Sequence, residues 1–172
     1  MAGLIHPLSV VDIDVIIGAG TRVWQFASLI RGARIGAGCT IASCAVVDGA
    51  EAGDGCSIGH GASVHPGVVL GSSVFVGPGA VICNDAFPRV DKTGFDITEL
   101  TSGRVVTVRV EDGASIGAGA VILPGVTIGR GAAVAAGAVC GVDVPAGHLF
   151  KRSGAVCEIN EVWAKRRMKA AC

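Results

Sequence analysis

The chain has 172 residues, which is enough for one domain with a hydrophobic core. It contains 27 glycines and only 6 prolines, and 51% of its residues are hydrophobic whereas 16% are charged. This composition excludes intrinsic disorder, which requires low hydropathy and high charge, and it excludes a collagen-like chain. The 14 basic and 14 acidic residues cancel, so no surplus of positive charge favours binding to nucleic acid.

The sequence shows no signals for a membrane or for secretion. No stretch of about 20 residues is free of both charge and glycine, so no membrane span is predicted. The N-terminus lacks the basic and apolar regions of a signal peptide. The seven cysteines are scattered without a Cys-x-x-Cys pair, which indicates free thiols rather than a disulfide or zinc framework. We therefore expect a cytoplasmic protein.

An aliphatic residue recurs every six positions along most of the chain. The series of anchors runs from Ile5 to Val47, resumes after one five-residue step from Ala52 to Ile82, and returns from Val110 to Val134. Every anchor except Ala52 is Val, Ile or Leu, and most side chains four positions after an anchor are those of Ala, Ser, Thr or Cys. An even period keeps every anchor on the same side of a strand, and glycine permits the tight turns between strands. The pattern predicts an all-β parallel solenoid, not helices or a sandwich.

The repeat is interrupted between residues 83 and 109. This segment holds 8 of the chain's charged residues, together with Phe87, Pro88 and Phe95. A charged insertion leaving a rigid solenoid is a favourable place for function. We therefore predict an external loop here, within a β-helix domain that spans residues 1–146.

The final segment, residues 147–172, follows the last clear repeats. From residue 155 onward, Val156, Ile159 and Trp163 fall on one helical face and basic residues fall on another. We predict a short C-terminal helix that covers the open end of the solenoid.

The repeat resembles the hexapeptide repeat of the left-handed parallel β-helix acyltransferases, in which an aliphatic residue is followed by Gly, Ala or Asp and then by a small residue. The resemblance implies three hexads per triangular coil, about six coils in all, and a left-handed coil. Within that family, Asn84-Asp85-Ala86-Phe87-Pro88-Arg89 is similar to the Asn-Asp-x-(Phe/Tyr)-Pro-Arg loop of the nucleotide-linked 3-amino-sugar N-acetyltransferases. Residues 22–26, Arg-Val-Trp-Gln-Phe, are similar to an aromatic coil of the same enzymes.

The sequence also departs from these enzymes. Relatives commonly carry Gly-x-Pro-Ala after the last coil, where this chain has residues 148–155, His-Leu-Phe-Lys-Arg-Ser-Gly-Ala. Some uronate-type relatives carry Gln-Asn where Ser43 and Cys44 stand here. The departures leave the sugar and its nucleotide, dTDP or UDP, open.

The resemblance implies a function and an assembly. It implies transfer of an acetyl group from acetyl-CoA to the 3-amino group of a nucleotide-linked sugar, without a metal ion. Such enzymes serve the biosynthesis of bacterial surface glycans, namely the O-antigen of lipopolysaccharide or the S-layer. It also implies a homotrimer whose active sites lie between adjacent protomers.

Three residues are the candidates for catalysis. The resemblance implies that Asn84 orients the sugar amine and that the proton leaves either with the CoA thiolate or through a histidine base. His60 and His65 are the possible bases, because an imidazole titrates near neutral pH. Three hexads form one coil, so His65 stacks near Cys83, which lies three hexads further on and is adjacent to Asn84.

Further residues are expected to bind the two substrates. By the resemblance, Asp85, Phe87 and Arg89 shape the sugar-nucleotide pocket. Small residues at two turns let the pantetheine arm approach backbone N–H groups, and two cations meet the coenzyme's phosphates. The turn residues are Gly119, Ala120, Gly137 and Ala138, and the cations are Lys151 and Arg152.

Other functions remain open on the residues alone. A hexapeptide acetyltransferase with another acceptor, such as serine or maltose and galactoside, would share the fold, although the loop at Asn84 argues against it. A zinc carbonic anhydrase would need three convergent histidines, and only His60 and His65 are close in sequence. The charged insertion argues against a purely structural solenoid.

Overall fold

The computed structural model describes residues 3–159. Its short strands follow the spacing of the repeat, as the sequence predicts, and stack into three sheets whose strands are parallel except for the last strand, Val156–Glu158. We call these sheets A, B and C. Sheet A consists of β1 (Leu4–Ile5), β4 (Arg22–Val23), β7 (Thr40–Ile41), β10 (Ser57–Ile58), β13 (Phe75–Val76), β16 (Ser115–Ile116), β19 (Ala133–Val134), β21 (His148–Phe150) and β22 (Val156–Glu158).

Sheets B and C form the other two faces of the rod. Sheet B consists of β2 (Val10–Val11), β5 (Ser28–Ile30), β8 (Val46–Asp48), β11 (Ser63–Val64), β14 (Val81–Ile82), β17 (Val121–Ile122) and β20 (Val139–Cys140). Sheet C consists of β3 (Ile16–Ile17), β6 (Arg34–Ile35), β9 (Glu51–Ala52), β12 (Val68–Leu70), β15 (Val108–Val110) and β18 (Thr127–Ile128). The chain visits the faces in the order A, B, C, so each coil has three sides, in agreement with the predicted left-handed β-helix.

The predicted anchors form the core. From Val23 onward every anchor is buried, whereas Ile5 in the first coil is 54% exposed. The small residues four positions after the anchors also point inward, among them Ala27, Ala62 and the cysteines Cys39 and Cys56. Each fully buried Ile or Leu anchor stabilises the fold by about 1.5–3 kcal/mol, so the stacked columns account for most of the stability of the rod.

Glycine after an anchor has a steric cause. A Cβ on Gly59 would lie 2.6 Å from the backbone nitrogen of Pro78 in the next coil, which is closer than atoms can approach. Glycine occurs at position 119 for a different reason, because the φ of Gly119 is 63° and lies in the left-handed region, which residues with a side chain disfavour. The two kinds of position explain why glycine recurs in the pattern.

The end of the rod differs from the prediction. Val156–Glu158 is a strand that pairs antiparallel with His148–Phe150, so the predicted helix is wrong over this strand. Phe150 is buried and extends the core past residue 146. The chain reverses at residues 151–155 because β22 hydrogen-bonds to the free edge of β21. The rest of the predicted helix, from residue 160, lies outside the described residues.

The insertion contains a helix that was not predicted from the sequence. It spans residues 83–107, between β14 and β15, and includes α1 (Ile97–Thr101). No helix within residues 3–159 is long and apolar enough to span a lipid bilayer.

Candidate functional site

The turns between sheets B and C stack into one edge of the rod, which we call the insertion edge. It carries Arg31 after β5, Asp48 at the end of β8, His65 after β11 and Asn84 after β14. A recess of about 530 Å³ brings these four side chains together, and the insertion supplies its other wall. The remaining lining residues are Pro66, Asp85, Pro88, Lys92, Phe95 and Ile97.

An ion pair lies in the lower part of this recess. Arg31 Nε is 3.3 Å from Asp48 Oδ1, and the Asp48 side chain is only 13% exposed. Asp48 Oδ1 is buried and accepts no hydrogen bond from the described residues, so the contact with Arg31 is a charge contact without hydrogen-bond geometry. Burial raises the pKa of the Asp48 carboxyl, and the charges of Arg31 and His65 oppose that rise.

His65 is half-buried one coil above Asp48. Burial lowers the pKa of its imidazole, the negative charge of Asp48 acts in the opposite direction, and the positive charge of Arg31 lowers the pKa further. The net shift is downward, so the ring is neutral at pH 7 and has a lone pair available to accept a proton.

The insertion folds back onto the same edge. Asp96 caps α1, and its Oδ1 accepts hydrogen bonds from the N–H groups of Thr98 at 2.8 Å and Glu99 at 3.2 Å. Leu100 is buried beside Gly67, where a Cβ would lie 3.0 Å from Leu100 Cδ2. The glycine therefore makes room for the helix, which in turn places Phe95 and Ile97 against the recess.

The predicted sugar-binding loop is only partly in the recess. Asp85 lines it, and Asp85 Oδ1 accepts a hydrogen bond from the Phe87 N–H at 2.9 Å, which fixes a tight turn. Phe87 is 82% exposed, and both Phe87 and Arg89 lie outside the recess lining. The structure thus brings Asn84 and Asp85 to His65 but does not bring Phe87 and Arg89 there.

His60 lies on a different edge from His65. The turns between sheets A and B form what we call the aromatic edge, and His60 follows β10 there. It is exposed and lines a second recess of about 530 Å³ together with Trp24, Gln25 and Phe75. Sheet B separates the two edges within one protomer, so of the two candidate bases only His65 shares a recess with Asn84.

The turns predicted to hold the pantetheine arm are also on the aromatic edge. The N–H groups of Gly119 and Gly137 already donate to Pro78 and Ala118 carbonyls, at 2.9 and 2.8 Å. Those of Ala120 and Ala138 donate within their own turns, and both methyl groups are buried in the core. The predicted turn positions therefore offer no spare backbone donor.

A neighbouring position in each turn does offer one. Ala118 and Ala136 are exposed, and their N–H groups donate no hydrogen bond within residues 3–159. Of the two predicted cations, Arg152 lies beside this edge, since its Cδ would be 3.8 Å from a Cβ on Gly137. Lys151 is exposed in the turn after β21, where its N–H donates to the Ala155 carbonyl at 2.8 Å.

Arg31 and Asp48 are the site residues that the sequence reading missed. A signal for them exists, because Arg31, Asp48 and His65 are equally spaced in the sequence. His65 follows Asp48 by one coil shortened by the five-residue step, whereas Arg31 lies one position past Ile30, the register partner of Asp48 in the coil below. Among the described residues, no group of three or more His, Cys, Asp or Glu side chains is placed to hold a metal ion.

Comparison with protein families identifies the repeat. Residues 14–49 and 107–141 match the family described as bacterial transferase hexapeptide (six repeats). The matched segments cover only part of the rod, because the unmatched residues 50–106 include the strands β9 to β14 as well as most of the insertion.

Solved structures of acetyltransferases and an acyltransferase resemble the chain. One is a mutant of perosamine N-acetyltransferase from Caulobacter crescentus in complex with CoA and GDP-perosamine, with 26% identity over 88% of this chain and 53% of that one, and a TM-score of 0.53. The acetyltransferase domain of PglB from Neisseria gonorrhoeae, in complex with acetyl coenzyme A, shares 22% identity over 91% of this chain and 57% of that one, with a TM-score of 0.51. The chain thus spans about half the length of these two proteins.

A third structure covers nearly the whole of both chains. It is a mutant of AntD, an N-acyltransferase from Bacillus cereus, in complex with dTDP-4-amino-4,6-dideoxyglucose and coenzyme A. Its TM-score is 0.68 over 93% of each chain, and its 15% identity shows a shared fold alone. No curated protein matches the chain in sequence.

Proposed function

We propose that the protein is an acetyl-CoA-dependent N-acetyltransferase that acts on a nucleotide-linked amino sugar. One observation carries the proposal: the insertion edge places the imidazole of His65 and the amide of Asn84 in a single recess walled by the insertion. The likeness to perosamine N-acetyltransferase supports the same class of reaction. The proposal includes a cytoplasmic homotrimer serving surface-glycan biosynthesis, as the sequence resemblance implies.

The proposed chemistry needs a neutral amine held at a thioester. The amine nitrogen forms a bond to the thioester carbonyl carbon, the C–S bond then breaks, and one proton must leave the nitrogen. The Asn84 side-chain carbonyl accepts a hydrogen bond from the amine and thereby orients its lone pair. The proton passes either to His65 or to the departing thiolate.

The electrostatics of the recess support His65 as the base. Its lowered pKa leaves the ring unprotonated at neutral pH, and the buried carboxylate of Asp48 stabilises the imidazolium once it forms. Asp85 is proposed to contact the sugar from the recess wall. Phe87 and Arg89 stay proposals for contacts outside it, and Ala118, Ala136 and Arg152 are proposed to meet the coenzyme.

The amine position is a specific part of the proposal. The loop at Asn84 resembles that of 3-amino-sugar enzymes, whereas the AntD structure holds a 4-amino sugar. A panel of acceptors should therefore include both positions on dTDP-, UDP- and GDP-linked sugars, together with serine and maltose. Release of CoA thiol, followed with a thiol reagent, identifies the acceptor.

Asn84→Ala tests the assignment of the recess. Loss of one orienting hydrogen bond of about 1–3 kcal/mol should lower kcat by about 5-fold to 150-fold while CoA affinity stays unchanged. Glu99→Gln is the matched control, because this exposed residue lies on α1 in the same insertion and outside the recess. An unchanged rate for Asn84→Ala, or no thiol release with any sugar nucleotide, would contradict the proposed function.

A further inference from the structure

We propose that the recess on the aromatic edge binds a nucleobase joined to a diphosphate. The proposal rests on the proposed function, since both substrates of that reaction carry such a group: the sugar nucleotide and the adenosine end of CoA. This recess is separate from the insertion edge, and its walls differ in kind. The aromatic-edge recess has aromatic and hydroxyl groups and, among the described residues, no charged Asp, Glu, Lys or Arg side chain in its lining, whereas the recess at the insertion edge is lined by charged side chains of both signs.

Two exposed aromatic rings mark the ends of the recess. Trp24 is 38% exposed and Phe75 is 45% exposed, although aromatic rings of this size are normally covered. They belong to coils three strands apart in sheet A, about 14 Å along the rod. Flat bases stack on such rings at about 1–3 kcal/mol each, and the space between the rings suits a base with its ribose.

The wall between the rings is low and polar. Trp24, Ala42 and Gly59 occupy equivalent positions, each directly after a strand of sheet A in successive coils. The indole of Trp24 is therefore followed by the methyl group of Ala42 in the next coil and by the hydrogen atom of Gly59 in the coil after that. Thr40, Ser57 and Phe75 are in register on the outer face. Hydroxyl groups of Thr40, Ser43 and Ser57 and the amide of Gln25 line the same space and match the donors and acceptors on a base edge.

A positive charge lies at the rim. Arg22 Nη2 donates a hydrogen bond to Thr40 Oγ1 at 3.1 Å, which holds the guanidinium beside the recess wall. No acidic side chain within residues 3–159 forms an ion pair with Arg22. The guanidinium is therefore available to a diphosphate, which it binds in a fork geometry.

Tryptophan fluorescence tests the stacking. The chain has two tryptophans, so a Trp163→Phe background leaves Trp24 as the only indole. UDP, dTDP and GDP form one arm, 3′,5′-ADP and CoA form the second, and pyrophosphate is the control without a base. Saturable quenching by the first arm assigns the site to the sugar nucleotide, and quenching by the second assigns it to CoA. No saturable quenching, or equal quenching by pyrophosphate, would overturn the proposal.

Calorimetry on variants tests the contact itself. Trp24→Ala should weaken binding of the active nucleotide by about tenfold to a hundredfold, and Trp24→Phe should retain most of it. Phe26→Gly is the matched control: Phe26 is an aromatic residue of the same turn, 61% exposed, outside the recess, and its φ of 61° suits glycine. Equal affinity of Trp24→Ala and the control would refute the stacking.

Two further readouts separate the competing outcomes. If Trp24→Ala lowers the oligomer mass in analytical ultracentrifugation but leaves nucleotide affinity unchanged, the rings cover a second copy of the chain and the nucleobase site is wrong. Thiol release is measured in parallel. Quenching without thiol release would support the nucleobase site and contradict acetyl transfer. Thiol release without quenching would support acetyl transfer and contradict the nucleobase site.

Discussion

Leu100 is the residue through which the insertion is held on the rod. Among residues 83–107, all of which the structure describes, only Leu100 is buried, at 7% exposure against Gly67. Leu100→Ala removes about 2 kcal/mol of apolar burial from this contact. Because the substitution leaves the anchors of the coils unchanged, it lowers only the free energy required to open the insertion locally. The population of molecules in which the insertion is open should therefore rise by about 30-fold.

Hydrogen exchange read by mass spectrometry measures this opening. The informative amides are Leu100 N–H, bonded to the Asp96 carbonyl at 3.3 Å, and Thr107 N–H, bonded to the Gly67 carbonyl at 2.8 Å. In Leu100→Ala these should exchange about 30-fold faster, while peptides from residues 110–134 and the melting temperature of the rod stay as in the parent. Transfer activity should fall with them, because Phe95 and Ile97 leave the recess.

The control and the refuting result are both specific. Val105→Ala trims an apolar side chain of the same insertion that is already 40% exposed, so it should leave exchange near Leu100 unchanged. Equal acceleration of exchange in the insertion and in the coils would show that the insertion and the rod unfold together. Unchanged exchange at Leu100 would show that other contacts hold the insertion.

Three other predictions concern charge, proton transfer and packing. Asp48→Asn should lower the pKa of His65 below its value in the parent protein, because the substitution removes the negative charge that raises this pKa. An NMR titration in which the pKa of His65 rises would contradict this electrostatic account. His65→Asn should reduce kcat at pH 8 more than His60→Asn does, and full activity of both variants would leave the proton with the CoA thiolate. Gly59→Ala should destabilise the fold by about 1–3 kcal/mol in urea unfolding, since its Cβ would meet backbone at 2.6 Å. A loss no larger than that of Gly141→Ala, whose Cβ would meet only the end of the Leu123 side chain at 3.1 Å, would argue against the close approach.

The repeat was predictable because each hexad repeats the same local chemistry. Every anchor from Val23 to Val134 is buried or nearly so, and the five-residue step and the interruption fall at corners of the rod. The hairpin of β21 and β22 was not predictable by periodicity. Val156 and Ile159 also satisfy a helical spacing, and pairing with the free edge of β21 decides between the two structures.

The site was predictable in part. Stacking three hexads per coil places His65 near Asn84, and the structure puts both in one recess. The same arithmetic, corrected for the short step, would have placed Asp48 beneath His65, and one further full coil leads to Ile30, the neighbour of Arg31. Helix α1 has only five residues, so its one local signal, the Asp96 cap, is too weak to specify it without docking against Gly67.

The short step shows how this architecture absorbs changes of length. Ala52 pairs with Ile35 across the shortened coil and with Leu70 across a coil of full length, while Leu70 pairs with Val110 across the whole insertion. A corner can lose one position, and a neighbouring corner can gain a long segment, without disturbing the pairing of strands on any face. The reason is that the strands of each coil pair again in the same alignment. Corners can therefore be shortened, extended or exchanged for new segments while the scaffold keeps its shape, and new specificities can be grafted at an edge without rebuilding the interior.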